Sequence, residues 1–303
     1  MEPGRRMTLE QLRIFVAVAT RLHVTQAAQA LNLTQSAASA AIAALETQYR
    51  TLLFHRIGRR IELTDAGRLF LVEAQSVLQR ATDAELVLGE LAGLRRGTLV
   101  LWASQTISNY WLPPVLWQYR QHFPDITLNL SIGNTEQVVA AILAGTAELG
   151  FVEGAVADPG LRQTDIAGDE MALVVAPSHP WARAAPERPA DFAAGPWVLR
   201  EPGSGTRQVF ETALAALGLR PGDLSVALEL PSNEAVCSAV EAGAGATVVS
   251  HFVVAAALEA GRLRRIPLDL PPRRYSLVRH GERYLSRAAQ ALQSLIFRGE
   301  PMA

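Results

Sequence analysis

No lysine occurs in this chain of 303 residues; all 28 of its Lys+Arg positions are arginine. That absence excludes a P-loop nucleotide hydrolase and a Schiff-base enzyme, because both chemistries need a primary amine. Cysteine is nearly missing too. Cys237 stands alone, so neither an internal disulfide nor a cysteine-based zinc site can form. Its place in the apolar pattern from Asn233 to Ala242 marks it as a buried, inert thiol. The histidines His23, His55, His122, His179, His251 and His280 show no His-x-x-x-His ligand spacing. Long apolar runs are absent as well: the longest, Phe252 to Leu258, falls far short of the about 20 residues a membrane span needs. Met1 to Met7 is polar and lacks an apolar signal core, which points to the cytoplasm. Gly203-Ser204-Gly205 has Pro202 where a Gly-x-Ser-x-Gly nucleophile elbow needs glycine, and no catalytic dyad stands out. No enzyme activity, metal or cofactor is expected.

What is present is 49% apolar content, enough for two or three cored domains, and a lopsided charge. Residues 1–67 hold eight arginines against five carboxylates, a net of +3, while the remainder holds twenty against twenty-four, a net of −4. Only the N-terminal part suits DNA electrostatically. There Thr8 can cap a helix whose Leu12, Phe15, Val16 and Ala19 form one apolar stripe. Thr25 can cap a second, short helix from Gln26 to Leu31. Asn32-Leu33-Thr34 then makes a turn, and Gln35 to Gln48, striped by Ala38, Ile42 and Leu45, has the length and alanine content of a third helix. Leu52 to Phe54 and Ile61 to Leu63 read as strands joined by His55-Arg56-Ile57-Gly58-Arg59-Arg60. The outline is a winged helix-turn-helix.

In that geometry the start of the third helix faces base edges in the major groove, while flanking cations grip phosphates. The base-facing set is Gln35, Ser36 and Ser39, with Thr25 and Thr34 beside it; glutamine can pair with adenine and serine can serve several bases. Residues 35–46 contain no cation. Affinity for double-stranded DNA is therefore expected from Arg56, Arg59 and Arg60 on the wing, helped by Arg13, Arg21 or Arg50.

The segments Leu9-Glu10-Gln11-Leu12-Arg13-Ile14-Phe15, Thr25-Gln26-Ala27-Ala28-Gln29-Ala30-Leu31, Leu33-Thr34-Gln35-Ser36-Ala37-Ala38-Ser39, Leu53-Phe54-His55-Arg56 and Leu63-Thr64-Asp65-Ala66-Gly67 resemble the LysR-type transcriptional regulators. The resemblance spans nearly the whole chain. Ser36 departs from it where proline is usual, as do Ala40 for arginine and Gln48-Tyr49-Arg50 for a leucine-glycine pair. Membership implies a DNA-binding regulator that reads a dyad-symmetric promoter site. It also implies an effector domain for a small molecule, dimers that pair into tetramers, and RNA polymerase as a candidate partner.

After Thr64, residues 65–94 form a proline-free helical pattern. Phe70, Ala74, Val77, Ala81, Ala84, Leu88 and Leu91 follow a four-and-three spacing, the mark of a coiled-coil dimer seam. Gly93 to Gly97 reads as a hinge. Beyond it, strands at 99–103, 126–132 and 149–152 alternate with helices at 110–122 and 135–144, and a second run follows from Met171: strands at 171–176, 197–199, 226–230 and 247–249, helices at 206–217 and 233–242. Such alternation predicts parallel sheets covered by helices. By the resemblance, the chain returns to its first lobe through Pro267, Pro271 and Pro272, so that Arg274 to His280 and a helix from Tyr284 to Arg298 join it. The expected architecture is an α+β multidomain chain. Residues 1–67 are the winged helix-turn-helix, 65–94 the linker helix, 98–166 plus 270–300 lobe 1, and 167–269 lobe 2 of an α/β domain like type 2 periplasmic binding proteins.

Ligands of open α/β sheets sit at the carboxyl ends of strands, where helix N-termini attract anions. The strand-to-helix turns here begin at Ser104, Gln105 and Thr106, at Asn134 and Thr135, at Arg200, Ser204 and Thr206, and at Asn233. Phe151 and Glu153 are expected at the rim, and Arg200 or Arg207 as countercharge. The segment Arg200 to Arg207 is similar to one in LysR-type members that resemble the regulators of carbon fixation and sulfur metabolism. The expected effector is a small organic or inorganic anion. Two rival readings are a solute-binding protein, disfavoured by the DNA-binding head, and an α/β enzyme, for which Glu153 and Glu234 are the only nearby acid–base candidates.

Overall fold

The computed structural model describes residues 7–57, 60–91, 97–154 and 156–298, and the chain divides into two compact units, 1–94 and 95–303. In the first unit, α1 (Leu9–Arg21) opens with a reciprocal cap: the Thr8 hydroxyl accepts from Gln11 N at 3.2 Å, and Gln11 Oε1 accepts from Thr8 N at 3.0 Å. Leu22 ends it in the left-handed region at φ 48°. That early stop lets α2 (Val24–Ala30) begin sooner than expected, with His23 as its cap: Nδ1 accepts from Gln26 N at 3.3 Å, so Thr25 lies inside the first turn. Thr34 caps α3 (Gln35–Tyr49), which buries Ala38, Ile42 and Leu45.

The wing is β1 (Phe54–Ile57) paired antiparallel with β2 (Arg60–Leu63), Phe54 opposite Leu63. Its strands start later than the expected Leu52 because Glu46 of α3 takes the preceding backbone, accepting from Leu53 N at 2.7 Å and Phe54 N at 3.1 Å. Thr64 then donates to Leu52 O and accepts from Gly67 N, fixing the start of α4 (Asp65–Leu91). Phe15 packs between Phe54 and Phe70, ring centroids 5.5 and 4.8 Å away. Phe70 and buried Ala74 thus belong to the domain's own core and not to the expected seam, because α1 lies against the first turns of α4. Val77, Ala84 and Leu88 stay exposed and Ala81 half-buried; the side chain of Leu91 and residues 93–96 of the expected hinge lie outside the described residues.

In the second unit the elements run β3 (Gly97–Ser104), α5 (Leu112–His122), β4 (Ile126–Gly133), α6 (Thr135–Ala144), β5 (Leu149–Glu153), β6 (Leu161–Asp169), β7 (Met171–Val175), α7 (Pro189–Ala194) and β8 (Pro196–Arg200). They continue through α8 (Gly205–Ala216), β9 (Ser225–Leu230), α9 (Asn233–Glu241), β10 (Ala246–Ser250), α10 (His251–Glu259), β11 (Arg264–Ile266), β12 (Arg273–His280) and α11 (Arg287–Arg298). The expected helix at 110–122 is split, since a π-helical stretch over Ile107–Trp111 precedes α5, whose first turn carries proline and lacks the N–H groups to continue the register.

The strand orders among the described residues are β4-β3-β5-β12-β6 for one lobe and β11-β7-β10-β8-β9 for the other. The sheets are mixed, not wholly parallel as the alternation predicts. Strands followed by crossover helices are parallel, whereas β12 pairs antiparallel with both β5 and β6, and β7 with β10 and β11, because these strands enter from the lobe crossings. β6 carries the first lobe's sheet to Asp169, past the expected boundary at 166, and the crossing falls at Glu170. In β3, Leu99, Leu101 and Ala103 face a core with Tyr119, Phe151 and Leu277, while Val100 and Trp102 face Val138 and Ile142 of α6. The second lobe is cored by Trp197, Leu199, Phe210 and Leu214 on one side and by Val174, Val198, Val236 and Cys237 on the other.

Burial, with help from Glu234 and Glu241, pushes the Cys237 thiol up to about 12. Few thiolates form at neutral pH, and an aromatic disulfide reagent should modify Cys237 only as fast as the domain opens. Stoichiometric modification of the native protein within minutes would contradict this.

Candidate DNA interface and effector cleft

Thr25 is exposed on α2, Thr34, Gln35 and Ser36 are exposed at the start of α3, and Ser39 is half-buried one turn further along α3. The hydroxyls of Thr34 and Ser36 lie 3.0 Å apart, and Gln35 Nε2 donates weakly to Ser39 Oγ at 3.4 Å, so these polar groups stand at the start of α3 with donors and acceptors directed outward from its core stripe. The backbones of Arg56 and Arg60 lie in the wing strands; their side chains, and all of Arg59, lie outside the described residues. Arg50 ends α3 in the left-handed region, Arg13 makes an exposed ion pair with Glu10 at 3.7 Å, and Arg21 donates to Ala17 O.

The strand-to-helix turns of the second unit meet where the lobes touch. Asn233 is the central link: its N–H donates to Gln105 Oε1 at 2.7 Å, its Nδ2 to Thr106 Oγ1 at 3.1 Å, and its Oδ1 accepts from Arg200 Nη1 at 2.6 Å. Asn134 Nδ2 reaches Glu201 Oε1 at 3.2 Å, Asn109 Nδ2 reaches Glu234 Oε1 at 3.2 Å, and Glu136 N donates to Gly203 O at 3.3 Å. These contacts between the lobes all use neutral donors. Gly203 is needed in this contact, with φ +82°, and a Cβ at Gly205 would sit 2.7 Å from both Glu153 O and Thr135 Oγ1.

Neither expected countercharge is free. Arg200 spends its Nε and Nη2 on both carboxylate oxygens of Glu201, at 2.8 and 2.9 Å. Burial pushes the Glu201 carboxyl up, but the hydrogen bond and charge of Arg200, with Asn134, hold it below the usual carboxylate range. Arg207 is bound by Glu211 at 2.8 Å and Glu229 at 2.5 Å, and it donates to Arg200 O. The open donors are instead those of α8: the N–H groups of Gly205, Thr206 and Arg207 make no hydrogen bond among the described residues, and the Ser204 hydroxyl caps nothing. A recess of about 360 Å³ opens beside them, lined by Thr135, Glu136, Ser204, Arg207 and Gln208. A larger hollow of about 750 Å³ lies around His179 and Trp181 in the second lobe and shares no lining residue with these turns.

Phe151 and Glu153, expected at the rim, are both buried; Phe151 packs in the first lobe's core, and Glu153 ends β5. Arg273 and Asp169 escaped the sequence reading. Arg273 is fully buried, donating from Nε to Asp169 Oδ1 at 2.6 Å, from Nη2 to Asp169 Oδ2, and from Nη1 to Thr206 Oγ1 at 3.0 Å, while Asp169 also accepts from Ser250. Burial would lower the Arg273 pKa, yet the charges of Glu153 and Asp169 raise it above the ordinary guanidinium value. The partners lie 104 residues apart, and only the adjacency of Pro272 to an arginine at a strand start hinted at a special position.

A three-helix head with an exposed polar helix start, joined to a two-lobed domain with open amides between its lobes, defines a DNA-binding protein with a small-molecule domain. The chain belongs to the LysR family of transcriptional regulators: residues 9–68 match the bacterial regulatory helix-turn-helix protein, lysR family, and residues 92–298 match the LysR substrate binding domain. It is 36% identical over 284 residues to the uncharacterized HTH-type transcriptional regulator YeiE of Escherichia coli strain K12, covering 93% of this chain and 94% of that protein. It is 34% identical to a probable RuBisCO transcriptional regulator of Cyanophora paradoxa, with 93% and 89% covered. Its fold is similar to that of full-length CbnR complexed with target DNA (TM-score 0.67, 24% identity, 96% and 99% covered). It is also similar to that of the CcmR regulatory domain of Synechocystis PCC6803 in complex with 2-PG (TM-score 0.60, 24% identity, 68% and 99% covered). The chain is thus a LysR-type DNA-binding regulator with an effector-binding domain. Among the described residues no helix is long and apolar enough to cross a membrane.

Asn233→Ala removes the side-chain bonds to Arg200 and Thr106 and leaves a buried guanidinium nitrogen unpaired, so it should destabilise the effector domain by about 1–3 kcal/mol. Thermal unfolding reads the loss, and small-angle scattering should show a more open domain. An unchanged melting temperature and radius would remove Asn233 as the link.

Proposed function

We propose that this regulator binds a dyad-symmetric promoter site as a dimer of dimers in the cytoplasm, without catalysis, and that a small anion between the lobes resets how the DNA is held. The observation that carries the effector half is the unbonded first turn of α8, three open amides and a free serine hydroxyl, set between lobes that already touch. Ser104, Gln105, Thr106, Asn134, Thr135, Arg200, Ser204, Thr206 and Asn233 surround or brace that place, with Glu153 beneath it; Arg200 acts through Glu201 and not as a free cation. An effector shifts the closed and open forms only by its difference in affinity for them, typically about 1–3 kcal/mol of coupling. The 2-PG named with the CcmR domain supports an anion.

For the DNA half, Gln35, Ser36 and Ser39 read bases from α3, with Thr25 and Thr34 beside them, while Arg56, Arg59 and Arg60 grip phosphates from the wing. Pairing runs through the face of α4 that keeps Val77 and Leu88 exposed, 42% and 67%. The working division assigns 1–67 to DNA, 65–94 to pairing, and 98–166 plus 270–300 and 167–269 to the lobes, with the crossing moved to Glu170. RNA polymerase is the partner through which such a shift would be read.

Gel shifts with Arg56→Ala and Arg59→Ala should show weaker binding to all sequences and a salt slope reduced by about 1 per lost contact, whereas Gln35→Ala should relax one base position at a cost of about 1–3 kcal/mol. Unchanged affinity would remove the wing. The double change Val77→Asp, Leu88→Asp should yield monomers in sedimentation, and a dimer that survives it would place pairing elsewhere.

A further inference from the structure

Glu153 is a buried acceptor whose Oε1 has no hydrogen bond among the described residues. It is 3% exposed at the end of β5. The neighbouring cation, Arg273 Nη1, is 3.7 Å from Oε1, an ion-pair distance beyond hydrogen-bond range, and donates to Thr206. The first turn of α8 packs directly on Glu153, where a Cβ on Gly205 would lie 3.0 Å from its Cβ. The start of α8 and the end of β5 are therefore neighbours. Ser104 Oγ, at the neighbouring end of β3, is 2% exposed and equally without a partner.

Leaving a buried carboxylate oxygen unmet is costly, and a ligand that brings its own donor removes the cost. Helix amides and serine hydroxyls accept an anion, but a carboxylate beside them repels one unless an oxygen of the ligand carries hydrogen. We propose that the effector is an oxyanion bearing an O–H group, of the hydrogen phosphate or hydroxycarboxylate kind, and that Glu153 is the residue that selects it. This rests on the effector-cleft reading above. The O–H donates to Glu153, while the charged oxygens take the amides of Gly205 and Thr206 and the hydroxyls of Ser204 and Ser104. An anion without O–H would set acceptor against acceptor.

The test is calorimetry on the full-length protein at neutral pH with matched probes: inorganic phosphate against sulfate, and glycolate against acetate. Phosphate or glycolate should bind at least ~100-fold more tightly than its hydroxyl-free counterpart, since sites built around a ligand hydroxyl reject analogues that lack it. Glu153→Gln, whose amide can donate, should erase that preference and let sulfate or acetate in. Equal binding within both pairs, binding by none of the four probes, or a preference that persists in Glu153→Gln overturns the proposal. The wild-type comparison alone suffices should that variant fail to fold. Ser204→Phe separates the two ideas: if it abolishes binding while the wild type shows no preference, only the selection by Glu153 fails. If the wild type discriminates and folded Ser204→Phe binds unchanged, the cleft reading fails, and this proposal fails with it.

Discussion

The buried guanidinium of Arg273 is the interaction around which the effector domain is organised. It stands at the start of the returning strand, grips Asp169 at the end of the outgoing one, and touches Thr206 of the opposite lobe, while Asp169 also holds Ser250. Both crossings and both lobes thus meet in one charged cluster. Such a cluster adds little net stability over an apolar replacement, but losing one partner strands a charge and typically costs about 3–5 kcal/mol. Its value is geometric: it ties both crossing strands and both lobes together at one point.

Around that point the contacts between lobes are individually weak and mostly neutral. Amides of Asn233, Asn134 and Asn109 cross from one lobe to the other, and the arginines that could have bound an anion are tied to carboxylates. Neutral contacts suit a switch. Each is easily exchanged for a ligand or water, so a modest binding free energy is able to move the balance between forms.

Local signals in the sequence were read with good fidelity where the physics is local. Thr8 and Thr64 cap helices as their positions suggest, and helix α6 begins at Thr135 and ends at Ala144 as its pattern indicates. Errors arose where a distant partner overrode the local rule. His23 displaced Thr25 as a cap, Glu46 delayed the wing, and α1 captured Phe70 and Ala74 from the seam. β6 escaped notice because its residues are largely exposed, as befits an edge strand that lacks an apolar stripe. Of the cleft, the turns and their hydroxyls were legible, but the neutralisation of Arg200 and Arg207 was not, since nothing short-range tells a free cation from a paired one.

Periodicity, capping residues and charge asymmetry were enough to specify the DNA-binding head, the long helix, the two α/β lobes and the family, because each depends on neighbours within a turn or two. The closed contact of the lobes, the burial of Glu153 and the role of Arg273 emerged from packing alone. Their partners are brought together from opposite lobes or from strands some hundred residues apart, and burial and pairing belong to that assembled environment, not to any stretch of chain.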